Sequence, residues 1–187
     1  MTHMKSKSRA ESEEKYREAR LVAMATLEPE VRHLTGLEVR LMEIDHVALA
    51  ATEVWRAAYS DVGRLAHVPG WDWYKEARRF GRRSRRLELA IWVGDTLCGL
   101  ALGRISDRRV VATIHLLEGN PTGNPLGGKV ILIATRFLEV LALTLGCREA
   151  AIDSPVSALV ARYQSAGFVK EVTKGKKIVR LAKSVAP

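Results

Sequence analysis

Apolar and polar residues alternate at different periods along this chain, and the changes of period delimit its elements. From about Arg9 to Leu27 (RAESEEKYREARLVAMATL), strong helix formers carry Tyr16, Ala19, Val22 and Ala23 at helical spacing, which predicts a helix appended ahead of the rest. Leu37 to Ile44 alternates apolar and polar side chains and predicts a strand, and Val47 to Tyr59 returns to helical spacing. After a break at Pro69 and Gly70 a second helical stretch runs from Trp71 to about Arg83. Two apolar runs, Leu87 to Val93 and Leu97 to Ile105, flank Gly94-Asp95-Thr96 and predict a hairpin, and Arg109 to Leu117 predicts a third strand beyond the turn at Ser106 and Asp107. A loop rich in Gly, Asn and Pro (Gly119 to Lys129) leads into an apolar helix that Gly146 ends. The remainder predicts a short strand (Glu149 to Ile152), a helix (Val156 to Ala166, stopped by Gly167) and two strands (Phe168 to Val172, Lys177 to Leu181).

Strand, helix and strand alternate only in the second half, so the expected fold class is α/β with a mixed sheet, antiparallel early and parallel where the long helix crosses over. The expected organisation is an N-terminal helix over residues 1–30 and a single domain over 36–183. Composition narrows the function classes only a little. Cys98 and Cys147, each in an apolar run, suggest neither a disulfide framework nor a metal site. The longest apolar run is interrupted by Arg136 and Glu139 and falls short of the roughly 20 residues of a membrane span. Lys5, Lys7 and Arg9 are followed by no apolar segment of the secretory kind, so a cytoplasmic protein is expected, with Met4 a second candidate start. The net charge of +9 favours acidic partners: nucleic acid, phosphorylated cofactors or anionic substrates.

Two segments carry candidate chemistry. Leu116-Leu117-Glu118-Gly119-Asn120-Pro121-Thr122-Gly123-Asn124-Pro125-Leu126-Gly127-Gly128-Lys129 lies between a predicted strand and a predicted helix. Glycines let backbone amides approach an anion, and the helix aims free N–H groups and the positive end of its dipole at it, so the segment can bind a pyrophosphate or be a plain strand-to-helix turn. The second segment, Ala158 to Phe168 (ALVARYQSAGF), is an amphipathic helix with a left-handed stop at Gly167, and Tyr163 on it is either a functional hydroxyl or a partly buried tyrosine.

Together these segments resemble the GNAT superfamily of acyl-CoA-dependent N-acyltransferases, whose phosphate-binding loop follows the fourth strand and whose last helix carries a tyrosine five residues before the phenylalanine of a Gly-Phe pair, as Tyr163 stands to Phe168. The resemblance covers about Leu87 to Leu181 and implies a central mixed sheet of about six or seven strands flanked by helices. The loop is a variant: with Asn124 taken as its first position Gly127 falls in place, while Lys129 stands where Gly or Ala is usual, and Val156 replaces an asparagine found in many members.

The activity the resemblance implies is transfer of an acetyl group from acetyl-CoA, a co-substrate, to a primary amine in a ternary complex, with no metal. It implies that pantetheine inserts between the fourth and fifth strands near Leu116 and Leu117, and that Asn124, Leu126, Gly127, Gly128 and Lys129 hold the pyrophosphate. Tyr163 would protonate the departing thiolate, and Glu118, with His115 in reserve, would take the amine proton, while capping of loop amides is the other reading of Glu118. Asp153 faces the same cleft, and the helices after the first strand would bring Trp55, Tyr59, Trp71 and Trp73 to the acceptor. The acceptor is a small molecule, a peptide or a protein. Arg78 to Arg86 is the densest charge cluster; as a nucleic-acid or protein-partner surface it supports two alternatives, a degenerate binding module and a toxin-like acetyltransferase acting on aminoacyl-tRNA. The sequence leaves the oligomeric state open, a homodimer included.

Overall fold

A computed structural model describes residues 2–61 and 70–185 of the 187-residue chain, with side chains from residue 9 and none described at 59–61. Seven strands form one sheet in the order β1-β2-β3-β4-β5-β7-β6: β1 (Val39–Met42), β2 (Arg86–Val93), β3 (Thr96–Ile105), β4 (Val111–Gly119), β5 (Glu149–Asp153), β6 (Lys170–Lys174) and β7 (Lys177–Ser184). Every pairing is antiparallel except that of β4 with β5, which are joined by a crossover helix. The mixed sheet expected from the element order is present.

Helices α1 (Thr2–Thr35) and α4 (Val130–Thr144) cover one face, where Ala23, Leu27, Phe137 and Leu138 meet Leu87, Leu89, Ala112 and Ile114. Helices α2 (His46–Asp61) and α3 (Trp73–Gly81) cover the other, where Trp55, Trp73 and Phe80 meet Ala90, Leu100, Leu102 and Leu116. The short α5 (Val160–Ser165) joins the first face through Tyr163.

Helix α1 is longer than its periodicity predicts, continuing through Pro29 to Thr35. Proline removes one ladder hydrogen bond, but tertiary burial of Leu27 and Val31 on either side holds the helix together. A charged residue also sits on its buried face: Arg20 is fully buried, paired with Glu43 at 2.7 Å and Glu13 at 3.2 Å and donating to the Arg86 carbonyl. Glu88 lies 3.5 Å from Arg20 and 2.8 Å from Arg86; its pKa is raised because burial outweighs the two guanidinium groups. Further along α1, Glu30 binds Arg136 of α4, which also binds Glu139, and Glu139 in turn binds Lys183 of β7. The helix is thus fastened to β2 at its middle and to α4 near its C-terminal end.

The predicted helix over Val156–Ala166 is a single 3-10 turn (Ser157–Leu159) followed by the six-residue α5. Ser154 at φ 47° and Pro155 turn the chain sharply, and Val156 is extended, which delays the helical start.

Candidate active site

The site is created by one irregularity in β4. Against β3, Leu102 pairs with Leu116 and Gly103 with Ile114, so His115 is the extra residue of a β-bulge. A bulge moves every later side chain to the other face. Ala112 and Ile114 face the α1–α4 core, whereas Leu116 and Glu118 face α2 and α3. The bulge needs Gly103: a Cβ there would lie 2.0 Å from the Thr113 carbonyl oxygen.

At the same point β4 and β5 part. Their register ends at Ile114 with Ile152, yet β4 continues to Gly119. Beyond the divergence β4 presents an edge that no described strand pairs, beside a cavity of about 710 Å³. An extended chain can hydrogen-bond to such an edge as an added strand would.

One end of the cavity is the glycine loop and the start of α4. Two asparagines fasten this loop to the start of β3. Asn120 donates from Nδ2 to the Leu97 carbonyl and Asn124 to the Cys98 carbonyl, both at 2.9 Å, while their Oδ1 atoms accept from the Thr122 and Leu126 amides. The Gly127 amide donates to the Asn124 carbonyl and the Lys129 amide to that of Leu126. The amides of Leu126, Gly127 and Lys129, three of the residues expected at a pyrophosphate, are thereby engaged within the loop. Helix α4 begins at Val130 without a side-chain cap, and Val130, Ile131, Gly127 and Gly128 line the cavity. The Arg162 guanidinium reaches this end, with Nη1 3.7 Å from the place a Gly128 Cβ would occupy. Arg162 lines the cavity but is not among the residues the sequence singles out; its place in the turn before Tyr163 is the only sequence signal for it.

The other end is the divergence of the strands, where the titratable groups gather. His115 Nδ1 lies 3.2 Å from Asp153 Oδ2 across the gap, and Nε2 is buried with no hydrogen-bond partner among the described residues. Burial holds the His115 pKa below its ordinary value; Asp153 raises it, while Arg104 and Arg180 add to the lowering. Tyr163 is 4 % exposed and lines the cavity, and burial pushes its phenol up to about 12, so it stays protonated at neutral pH. Its placement follows from the helix stop: Gly167 at φ 91° lets the Phe168 amide donate to the Tyr163 carbonyl, and both side chains enter the core.

Glu118 is buried, accepting from the Trp73 indole N–H at 2.6 Å and the Trp71 amide at 3.3 Å. These two bonds tie β4 to the start of α3. Of the other residues singled out by sequence, Leu117, Asn124, Trp71 and Asp153 line the cavity. Leu116, Leu126, Trp55 and Trp73 are buried and do not line it, and Lys129 is exposed outside it. The Tyr59 side chain lies outside the described residues.

No protein-family model matches the chain, and no curated protein does. Solved structures do. An acetyltransferase from Thermus thermophilus superposes with a TM-score of 0.58 at 17% identity, covering 78% of this chain and 96% of that one. The spermidine N-acetyltransferase of Vibrio cholerae, solved with CoA and spermine, gives 0.56 at 13% identity over 79% of this chain and 95% of its own. The ribosomal-protein-S18-alanine N-acetyltransferase of Escherichia coli gives 0.51 at 17% identity over 80% and 95%. This chain has the GNAT N-acetyltransferase fold. In that GNAT frame the parted strands, the bulge and the α4 start are parts of one cleft. Among the described residues no helix is long and apolar enough to cross a membrane, and no cluster of side chains could hold a metal ion.

Proposed function

We propose that the protein transfers an acetyl group from acetyl-CoA to a primary amine. The observation that carries the reading is the parting of β4 and β5 after Ile114 and Ile152, which leaves a strand edge, a helix N-terminus and a cluster of titratable groups along one cavity. These features fit the co-substrate in order. The α4 start, Gly128 and Arg162 suit phosphates, the β4 edge from Gly119 to Leu116 suits the amide-bearing pantetheine arm, and the divergence suits the thioester.

At that divergence His115 takes the proton of the amine. Asp153 accepts from Nδ1–H, which leaves the Nε2 lone pair as the basic site, and the lowered pKa keeps the imidazole neutral near pH 7. The amine nitrogen bonds to the acetyl carbon, a β4 amide near Leu116 stabilises the oxyanion, and the carbon–sulfur bond breaks. Tyr163 gives its proton to the leaving thiolate; its high pKa makes it a weak acid but a permanently protonated one. Glu118, the first candidate base by sequence, holds Trp71 and Trp73 at the acceptor wall. Trp71 and Asp153 are the acceptor contacts, and a polyamine or an alanine-bearing peptide, after the names of proteins with similar folds, are the first to try.

Calorimetric titration with acetyl-CoA tests the core of the reading, followed by release of free thiol in the presence of each amine. Micromolar binding and amine-dependent thiol release are expected. No heat at millimolar acetyl-CoA would sink the proposal.

A further inference from the structure

A second cavity, of about 440 Å³, is lined by the turn that follows α3, two residues beyond Phe80. Arg9 of α1, Arg82, Arg83 and Arg85 of the α3–β2 turn, and Arg104 of β3 line it, with Asp107 its one carboxylate among the described residues. Asp107 is already paired with Arg85. Arg82, Arg83 and Arg104 form no salt bridge with a described residue. The contrast with Arg20 and Arg86 a few residues away, which share Glu13, Glu43 and Glu88, is one of charge balance. There the arginines are neutralised; here they are collected.

The groove is also built from distant segments. Arg9 donates to the Arg82 carbonyl, Ser12 bonds Ser84 at 3.3 Å, and Arg20 donates to the Arg86 carbonyl, so α1 fixes the turn that carries the arginines. Like charges held together repel one another until an anion joins them. Guanidinium groups pair best with the oxygens of phosphate, and the volume suits one or two phosphate-bearing units. Phe80 links the groove to the cleft. The Arg83 guanidinium lies 6.0 Å from the Phe80 ring centroid, and that ring lies 6.0 Å from His115.

We propose that the groove formed by Arg9, Arg82, Arg83, Arg85 and Arg104 binds phosphate groups, holding a phosphate-bearing ligand next to the acceptor end of the cleft. Binding itself does not depend on acetyl transfer; only the ligand's role as acceptor rests on that reading.

The test uses the full chain and two probes: a fluorescein-labelled single-stranded uridylate 12-mer read by anisotropy, and inorganic tripolyphosphate read by calorimetry. With three phosphates neutralised, 12-mer affinity should fall about 10- to 20-fold between 50 and 200 mM KCl. Arg83→Ala with Arg104→Ala should weaken either probe at least tenfold while acetyl-CoA binding is retained. Asp107→Asn, which removes the opposing carboxylate, should tighten binding severalfold, a gain that misfolding cannot imitate. Binding of the 12-mer points to a phosphodiester backbone, and binding of tripolyphosphate alone points to a small phosphorylated ligand. Failure of both probes to bind, or binding indifferent to these substitutions, overturns the proposal. Retained acetyl-CoA binding in that case leaves the acetyltransferase reading intact.

Discussion

The two halves of β4 are one continuous strand with opposite duties. Ala112 to Ile114 are paired on both sides, to β3 and β5, and the side chains of Ala112 and Ile114 build the core. Leu116 to Gly119 are paired on one side only, and the side chains there line a cleft or brace its wall. Between the halves lies one inserted residue. A bulge reverses the facing of all that follows and disrupts the ladder locally, so a single irregularity both opens the sheet and aims Glu118 away from the core. The open half leaves a strand edge whose backbone groups a ligand can satisfy.

If the open half carries the chemistry, the largest effect should come from His115. Substitution His115→Ala is expected to lower kcat by about 10²- to 10³-fold with acetyl-CoA affinity little changed, read by thiol release. Glu118→Gln can still accept from both tryptophan donors and should cost under about tenfold; a fall as large as that of His115→Ala would return the base role to Glu118. Next comes Tyr163→Phe, expected to lower kcat by about 10²-fold without altering acetyl-CoA affinity. An unchanged rate would remove Tyr163 from the acid role.

Joining the two halves without the bulge should also be damaging. Gly103→Ala places a methyl against the Thr113 carbonyl and should destabilise the fold by about 1–3 kcal/mol, visible as a lower melting temperature. The kcat of the folded fraction should fall further, because His115 would be re-aimed. A subtler effect is expected in the pH profile. The base must be neutral, so kcat/KM should fall as pH drops through an inflection below the ordinary histidine value of about 6.5. Asp153→Asn removes the one neighbour that raises the His115 pKa, while burial, Arg104 and Arg180 remain, so the inflection should move lower still. Movement upward would contradict the pairing. The smallest effect concerns the phosphate end, where Arg162→Ala should weaken acetyl-CoA binding about fivefold, the loss of one exposed charge-assisted contact.

Much of this was legible along the chain. The β2–β3 hairpin, the apolar α4 and the Tyr163–Gly167–Phe168 stop are local patterns, each fixed by residues a few positions apart, and each is found within a few residues of its predicted bounds. Helix α1 was only half legible, because a buried arginine on its core face blurs the periodicity and Pro29 suggests an end that tertiary packing overrides. The glycine loop is legible in the sequence, but its two asparagine staples are not, since the carbonyls they reach lie on β3.

The sequence by itself therefore determined the order and kind of elements, the mixed sheet and the segment at which a helix start meets a glycine loop, because periodicity and turn chemistry act over short distances. Only the tertiary structure decided that His115 is the bulged residue, that it meets Asp153 across the gap, that Glu118 braces the tryptophans and that Arg9 joins Arg104 in a groove. Register between strands and contacts between residues far apart in the chain depend on the summed packing of both sheet faces, and no local pattern of one sequence contains that sum.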